Sequence, residues 1–257
     1  MGKTGTVYGY LSVTGEPLLL DPVPNMLMLG EPDSGKSFLA KVLLRRLHAA
    51  GVGSIVFDTS GGGNYGRAAE FRGGQHYMLA ANCVPDFISH LRQGTGPLAL
   101  ALTFSEYPIL GTLGGAVAAE TMRELTKTVR EGVLRYRPTV LLLDEAWPFL
   151  RGPASEEMLW LARHGEDYGV VLWALGSRTE DFRTGVGREL SDAVRAVLAF
   201  PLQPPRAQVL PRELDKRGRE VATAPIGTFT LQDRRYFPTP VLARLRATPE
   251  ETKAARL

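Results

Sequence analysis

The chain has a single cysteine, Cys83, in 257 residues. A lone thiol excludes an internal disulfide and a cysteine-based zinc site, and its expected place is that of a small buried hydrophobe. Long apolar runs are missing as well. The longest, around Leu98 to Leu102, Val140 to Leu143 and Val170 to Leu175, fall far short of the roughly 20 residues that span a bilayer, so no membrane helix is expected. No signal peptide opens the sequence, and a cytoplasmic protein is expected. A large excess of one charge sign is missing: the formal net charge is only +3, although the isoelectric point is about 9.1. Arginine outnumbers lysine, which permits a basic stripe without establishing one. Internal repeats and low-complexity tracts are absent. With 44% hydrophobic and 22% charged residues, the chain has the composition of one globular core.

Against these absences stands one informative segment: Gly30, Glu31, Pro32, Asp33, Ser34, Gly35, Lys36 and Ser37, with Phe38 opening the apolar-periodic run that follows. It lies directly between the apolar run Met26 to Leu29 and a helix expected over Lys36–Ala50. A strand that reverses through small residues into a helix aims the free N–H groups of that helix at one anion, and this spacing is the Walker A loop. The expected guest is ATP. Lys36 would sit near the β- and γ-phosphates, and Ser37 would offer its hydroxyl to Mg²⁺. Asp33 stands where a third glycine is common; Asp tolerates a left-handed backbone better than most residues, and its carboxylate must point away from phosphate.

A second acidic signal lies far downstream. Thr139 to Leu143 reads as a buried strand that delivers Asp144 and Glu145 to the sheet's C-terminal edge. In this Walker B reading Asp144 holds Mg²⁺ through water and Glu145 polarises the water that attacks the γ-phosphate. A small-GTPase reading fails although Asp58-Thr59-Ser60-Gly61 fits D-x-x-G, because no N-K-x-D motif exists. A kinase-type enzyme is disfavoured, since the Asp-Glu end suits activation of water.

Between and beyond these motifs strands and helices alternate. Residues 6 to 21 suggest a hairpin turning at Thr14-Gly15, a flap leading into the Walker A strand. Strands are expected at Ser54–Asp58, His76–Leu79, Leu98–Phe104, Val140–Asp144, Val170–Leu175 and Ile226–Leu231; helices at Pro85–Arg92, 112–135 and Ser155–His164. The fold class is therefore α/β, a RecA-like P-loop NTPase with a mostly parallel sheet and helices on both faces. One domain is expected over 1–257, with a hairpin in 1–24, the core in 25–200, and a connector, proline-rich over Pro201–Pro211, with a late strand in 201–257. Tyr8 or Tyr10 could stack on adenine or simply pack.

These residues resemble the HerA/FtsK superfamily of ring-forming motor ATPases, and within it the ATPases of type IV secretion and conjugation. The likeness rests on Asn25 to Lys41, on Asp144-Glu145-Ala146-Trp147, on Ala162-Arg163 with Tyr168-Gly169, on Asp181-Phe182, and on Gly227 to Leu231 with Phe237-Pro238. It implies a homo-oligomeric ring, a hexamer, with an arginine supplied in trans to the γ-phosphate; Arg163 is the first candidate, with Arg178 and Arg183 behind it. The family's Thr-Gln sensor is replaced by Gly176-Ser177 followed by Arg178, leaving Ser177 or Arg178 to take that role or to be loop residues. Only some 25 residues precede the motor, which resembles the DNA-packaging ATPases of membrane-containing viruses, so double-stranded DNA is the expected substrate. Arg178, Arg183 and Arg188, or Arg212, Lys216, Arg217 and Arg219, could meet its phosphates. The rival expectation is a secretion or pilus-assembly ATPase acting on protein partners; either form could dock on a capsid or a membrane complex.

Overall fold

The computed structural model describes residues 6–11, 14–20, 22–59, 64–70, 73–78, 83–103, 112–201 and 227–256. In chain order the strands are β1 (Thr6–Leu11), β2 (Pro17–Leu20), β3 (Met26–Leu29), β4 (Gly53–Asp58), β5 (Gln75–Met78), β6 (Ala99–Thr103), β7 (Thr139–Asp144), β8 (Val170–Gly176), β9 (Ala196–Ala199), β10 (Thr228–Asp233) and β11 (Phe237–Arg244). They form one sheet in the order β2-β1-β11-β10-β9-β3-β8-β7-β4-β6-β5. From β9 to β5 every pairing is parallel. From β10 to β2 every pairing is antiparallel.

The parallel strands are apolar on both sides because helices cover both faces. Successive side chains on a strand point to opposite faces, and β3 shows it directly. Leu27 and Leu29 join one buried cluster, with Phe57, Met122, Leu125 and Leu161. Met26 and Met28 join the other, with Leu39, Leu43, Leu47 and Trp173. The second face carries α1 (Lys36–Ala49) and α2 (Asn64–Glu70); the first carries α3 (Val84–Gln93), α4 (Thr112–Arg130), the single turn α5 (Trp147–Leu150), α6 (Ser155–His164) and α7 (Gly185–Ala193). Trp173, fully buried, donates its indole N–H to Pro24 O at 3.0 Å, satisfying the one polar atom of the largest core side chain.

Several elements differ from the sequence expectation. The N-terminal hairpin, β1 with β2, extends the main sheet, a pairing the sequence did not indicate: Tyr10 and Leu11 pair with Arg244 and Ala243, which joins β1 to β11. The long helix expected to 135 ends at Arg130. A turn takes over, in which Arg135 N–H donates to Gly132 O at 3.1 Å and Arg137 N–H to Leu134 O at 2.9 Å. Pro138 then disfavours a helical backbone at the residue before it. The late strand is described over Thr228–Asp233, Ile226 lying outside the described residues, and β9, β11 and a C-terminal helix α8 (Pro249–Arg256) are additional. Cys83 is only partly buried, at the N-terminus of α3. Leu79, Phe104, Ser60 to Gly63, most of the proline-rich connector, and the Arg212, Lys216, Arg217 and Arg219 cluster lie outside the described residues.

α8 is fastened along α1 by hydrogen bonds from Arg46 and Lys41. The Arg46 guanidinium donates to both oxygens of Glu251, at 2.7 and 3.0 Å, and to Arg246 O at 2.7 Å. One turn and a half nearer the start of α1, Lys41 Nζ donates to Ala255 O at 3.1 Å. The C-terminal helix thus runs beside α1 toward the end that follows the Walker A loop.

Candidate active site

The C-terminal edge of the parallel strands gathers the predicted residues. The loop between β3 and α1 turns through two left-handed residues, Asp33 at φ 59° and Gly35 at φ 102°; the second suits glycine, and Asp is among the few side chains tolerated at the first. Gly30 is fixed by close approach, since a methyl there would come within 2.5 Å of Phe200 Cβ and 2.7 Å of Ser34 Oγ. The loop is tied to neighbouring strands by Gly30 N–H to Gly176 O and Glu31 N–H to Pro201 O, both at 3.2 Å. Lys36, buried, donates Nζ to Gly30 O and Glu31 O at 2.8 Å each. Burial lowers its pKa, opposed by Glu145, Asp144, Glu31 and Asp33, so acids on two separate segments act on one ammonium.

The two halves of the site touch through Ser37 and Asp144. Ser37 Oγ donates to Asp144 Oδ1 at 3.2 Å. Asp144 lies opposite Asp58 in the β4–β7 register. Burial, then the charges of Asp58 and Glu145, push the Asp144 carboxyl up to about 7, against the pull of Ser37 and Lys36. A cation bound beside it would favour the ionised form again. Glu145 has φ 58°, a left-handed backbone that costs roughly 1–3 kcal/mol for such a residue and that collects at functional positions. Its shape is held by Ala146 N–H to Leu175 O at 2.7 Å and by the Thr59 hydroxyl, which donates to Asp144 O.

Ser177 is brought into this group: its N–H and hydroxyl both reach Glu145 Oε2, at 3.2 and 2.9 Å. Arg178 is exposed and its guanidinium stacks on the Trp147 ring at 4.8 Å. The aromatic of the Asp-Glu-Ala-Trp segment therefore holds the loop after β8. Arg163 is not brought to its own chain's site. Ala162 O accepts from Asn25 Nδ2 at 3.1 Å, which places this end of α6 at the start of β3, a strand's length from the loop that follows β3; Arg163 pairs there with Glu189 at 2.6 Å. Tyr8 is buried against Trp173, with ring centroids 6.1 Å apart, and Tyr10 stacks under Arg246 at 4.8 Å. Those contacts give packing, not a base pocket.

Sequence reasoning missed Asp58 as a neighbour of Asp144, and missed Lys41 and Tyr65. Parallel strands end at the same edge, so Asp58 and Asp144, each closing a buried strand, carried a signal. Lys41 lies one turn beyond Ser37 on α1, and its ammonium sits over the Tyr65 ring at 5.4 Å. Nothing in the sequence pointed to Tyr65, because α2 itself was not foreseen.

The residues fit a magnesium-bound triphosphate. Ser34 Oγ is a buried hydroxyl without a protein partner, beside a loop whose left-handed residues and short side chains leave the backbone accessible. Ser37 and Asp144 supply oxygen donors, which suit Mg²⁺. Among the described residues no group of three or more His, Cys, Asp or Glu side chains is arranged to hold a metal.

Solved structures share this architecture. VirB4 of Thermoanaerobacter pseudethanolicus superposes with a TM-score of 0.72 at 14% identity, covering 98% of this chain and 99% of that one. The chain has a RecA-like P-loop fold. The genome packaging NTPase B204 of Sulfolobus turreted icosahedral virus 2, in complex with ATP-gammaS, matches with a TM-score of 0.62 at 14% identity, covering 88% of this chain and 99% of that one. EccC of Thermomonospora curvata (ATPases 2 and 3), in complex with a signal sequence peptide, gives 0.61 at 13% identity; 96% of this chain covers 42% of that one. No protein-family profile and no curated protein sequence matches the chain. Among the described residues no helix is long and apolar enough to cross a membrane.

Proposed function

We propose that this chain is an ATP-hydrolysing motor that moves double-stranded DNA as a homo-oligomeric ring, a hexamer. The observation that carries the ATPase reading is the contact of Ser37 with Asp144 at 3.2 Å, which joins the Walker A helix to the acidic strand end. Lys36 would turn its ammonium from the loop carbonyls to the β- and γ-phosphates. Ser37 and Asp144 would hold Mg²⁺, the latter through water, and the ion would neutralise charge developing on the transferred phosphoryl group. Glu145, oriented by Ser177, would take a proton from the attacking water. Arg163 would reach the γ-phosphate of the neighbouring subunit, leaving its pairing with Glu189.

The substrate reading draws on B204, a genome packaging NTPase, and on the exposed Arg178, Arg183 and Arg188, whose charges suit a sequence-independent phosphate backbone. The motor would be cytoplasmic and dock at a capsid or a membrane complex. A second reading, in which the ring acts on protein partners, is favoured by EccC, solved with a signal sequence peptide, and by the near end-to-end match with VirB4. Phosphate release measured with and without linear duplex DNA at two salt concentrations separates them. Stimulation that weakens as salt rises supports the DNA motor, because counterion release drives phosphate contacts. Turnover indifferent to DNA at both salts refutes it and favours the protein-acting reading.

A further inference from the structure

Tyr65, near the start of α2, is a buried phenol pointed into the acidic end of the site. Its residue is 1% exposed and its hydroxyl has no hydrogen-bond partner in the protein. The residue is held at two points: its backbone N–H donates to Asp58 Oδ2 at 3.5 Å, and the Lys41 ammonium lies over its ring at 5.4 Å. The polar groups around the hydroxyl are those already in play. Burial pushes the phenol pKa well above its ordinary value, Asp144 raises it further, and the Ser37 hydroxyl beside it pulls the other way. A tyrosine phenol, with an ordinary value of about 10, is a donor throughout the neutral range.

A buried hydroxyl with no acceptor carries a desolvation cost that phenylalanine, of nearly the same shape, would not have. The Ser37 hydroxyl, which donates to Asp144 at 3.2 Å, keeps lone pairs that could accept, but it does not meet hydrogen-bond geometry with the phenol. A cost of that kind is tolerated where the hydroxyl gains a partner at another stage.

We propose that Tyr65 is a positioning residue for the nucleotide, donating its phenolic O–H to the oxygen shell of the cation held by Ser37 and Asp144. This rests on the ATPase reading above. It adds a contact from α2, the helix that follows the Asp58 end of β4 and lies beside Lys41, so the segment after β4 takes part in holding the magnesium-bound substrate.

The test compares wild type with Tyr65→Phe, measuring the dissociation constant of ATP-gammaS with Mg²⁺ and with EDTA, and the thermal midpoint of the nucleotide-free protein. Wild type is expected to bind more tightly with Mg²⁺. Tyr65→Phe is expected to match wild type in EDTA and to lose about tenfold of the magnesium-dependent gain, the size of one hydrogen bond to a charged centre. Its midpoint without ligand is expected to equal or exceed that of wild type, since an unpartnered buried hydroxyl has been removed. An undiminished magnesium-dependent gain in Tyr65→Phe overturns the proposal and leaves the ATPase reading intact. So does a lower midpoint, which would show the hydroxyl bonded within the protein. If wild type itself gains nothing from Mg²⁺, both fall together.

Discussion

Ser177 donates its backbone N–H and its hydroxyl to the same oxygen of Glu145, Oε2, at 3.2 and 2.9 Å. Ser177 thus contacts the proposed base directly. The backbone bond survives substitution and the hydroxyl bond does not. Ser177→Ala is therefore expected to lower kcat by about tenfold, the worth of one hydrogen bond to a charged group, with the dissociation constant for ATP-gammaS unchanged. Steady-state phosphate release beside equilibrium binding checks this; a loss in binding without a loss in turnover would move Ser177 from the base to the substrate.

Asp33 holds a left-handed backbone at φ 59° while exposed at the mouth of a loop that is to receive phosphate. Glycine adopts that conformation without a Cβ penalty and carries no charge. Asp33→Gly is expected to bind ATP-gammaS several-fold more tightly at low salt, with the difference narrowing as salt screens the removed carboxylate. A titration at two ionic strengths reads both effects.

Glu251 sets an acid limit on the docking of α8. The hydrogen bonds from Arg46, ahead of the opposing effect of burial, hold its carboxyl below the ordinary value of 4.5. An acid whose folded-state pKa is depressed stabilises the fold above its unfolded value and loses that contribution as pH falls through the lowered one. Amide exchange in 249–256 is expected to match that of the surrounding core near neutral pH and to accelerate first as pH drops below the carboxylate range. Glu251→Gln should exchange fast at every pH.

The proposed arginine finger is tested by mixing subunits. Arg163→Ala and Glu145→Gln are each expected to be inactive alone. Mixed in equal amounts, they should regain about a quarter of the wild-type turnover, because half of the sites keep Glu145 and half of those face an intact Arg163. Absence of recovery in mixed rings would remove Arg163 from the site of its neighbour.

The phosphate loop and the acidic strand end were legible in the sequence because each is a short apolar run closed by residues whose chemistry has few other uses: Gly35-Lys36-Ser37 in one case, Asp144-Glu145 in the other. The strands β4, β6, β7 and β8 were legible for the same reason of apolar runs buried on both faces. β9 is only four residues, Ala196 to Ala199, too short to show a period. β11 carries Pro238 and Pro240, which read against a strand, and α8 has little apolar periodicity because it is fastened by Arg46 and Glu251. The association of the N-terminal hairpin with β11 joins residues more than 230 apart, a pairing that local pattern does not encode. Tyr65 escaped for a similar reason: its importance lies in what surrounds it, not in its neighbours along the chain.

The central claim is that Lys36, Ser37, Asp144 and Glu145 form one site that hydrolyses magnesium-bound ATP. Its most direct test is single-turnover phosphate release by wild type and Glu145→Gln, each shown beforehand to bind ATP-gammaS equally. Release by wild type, reduced by at least about a hundredfold in the variant as expected for a lost general base, is the predicted result; a variant that releases phosphate at the wild-type rate would contradict the assignment.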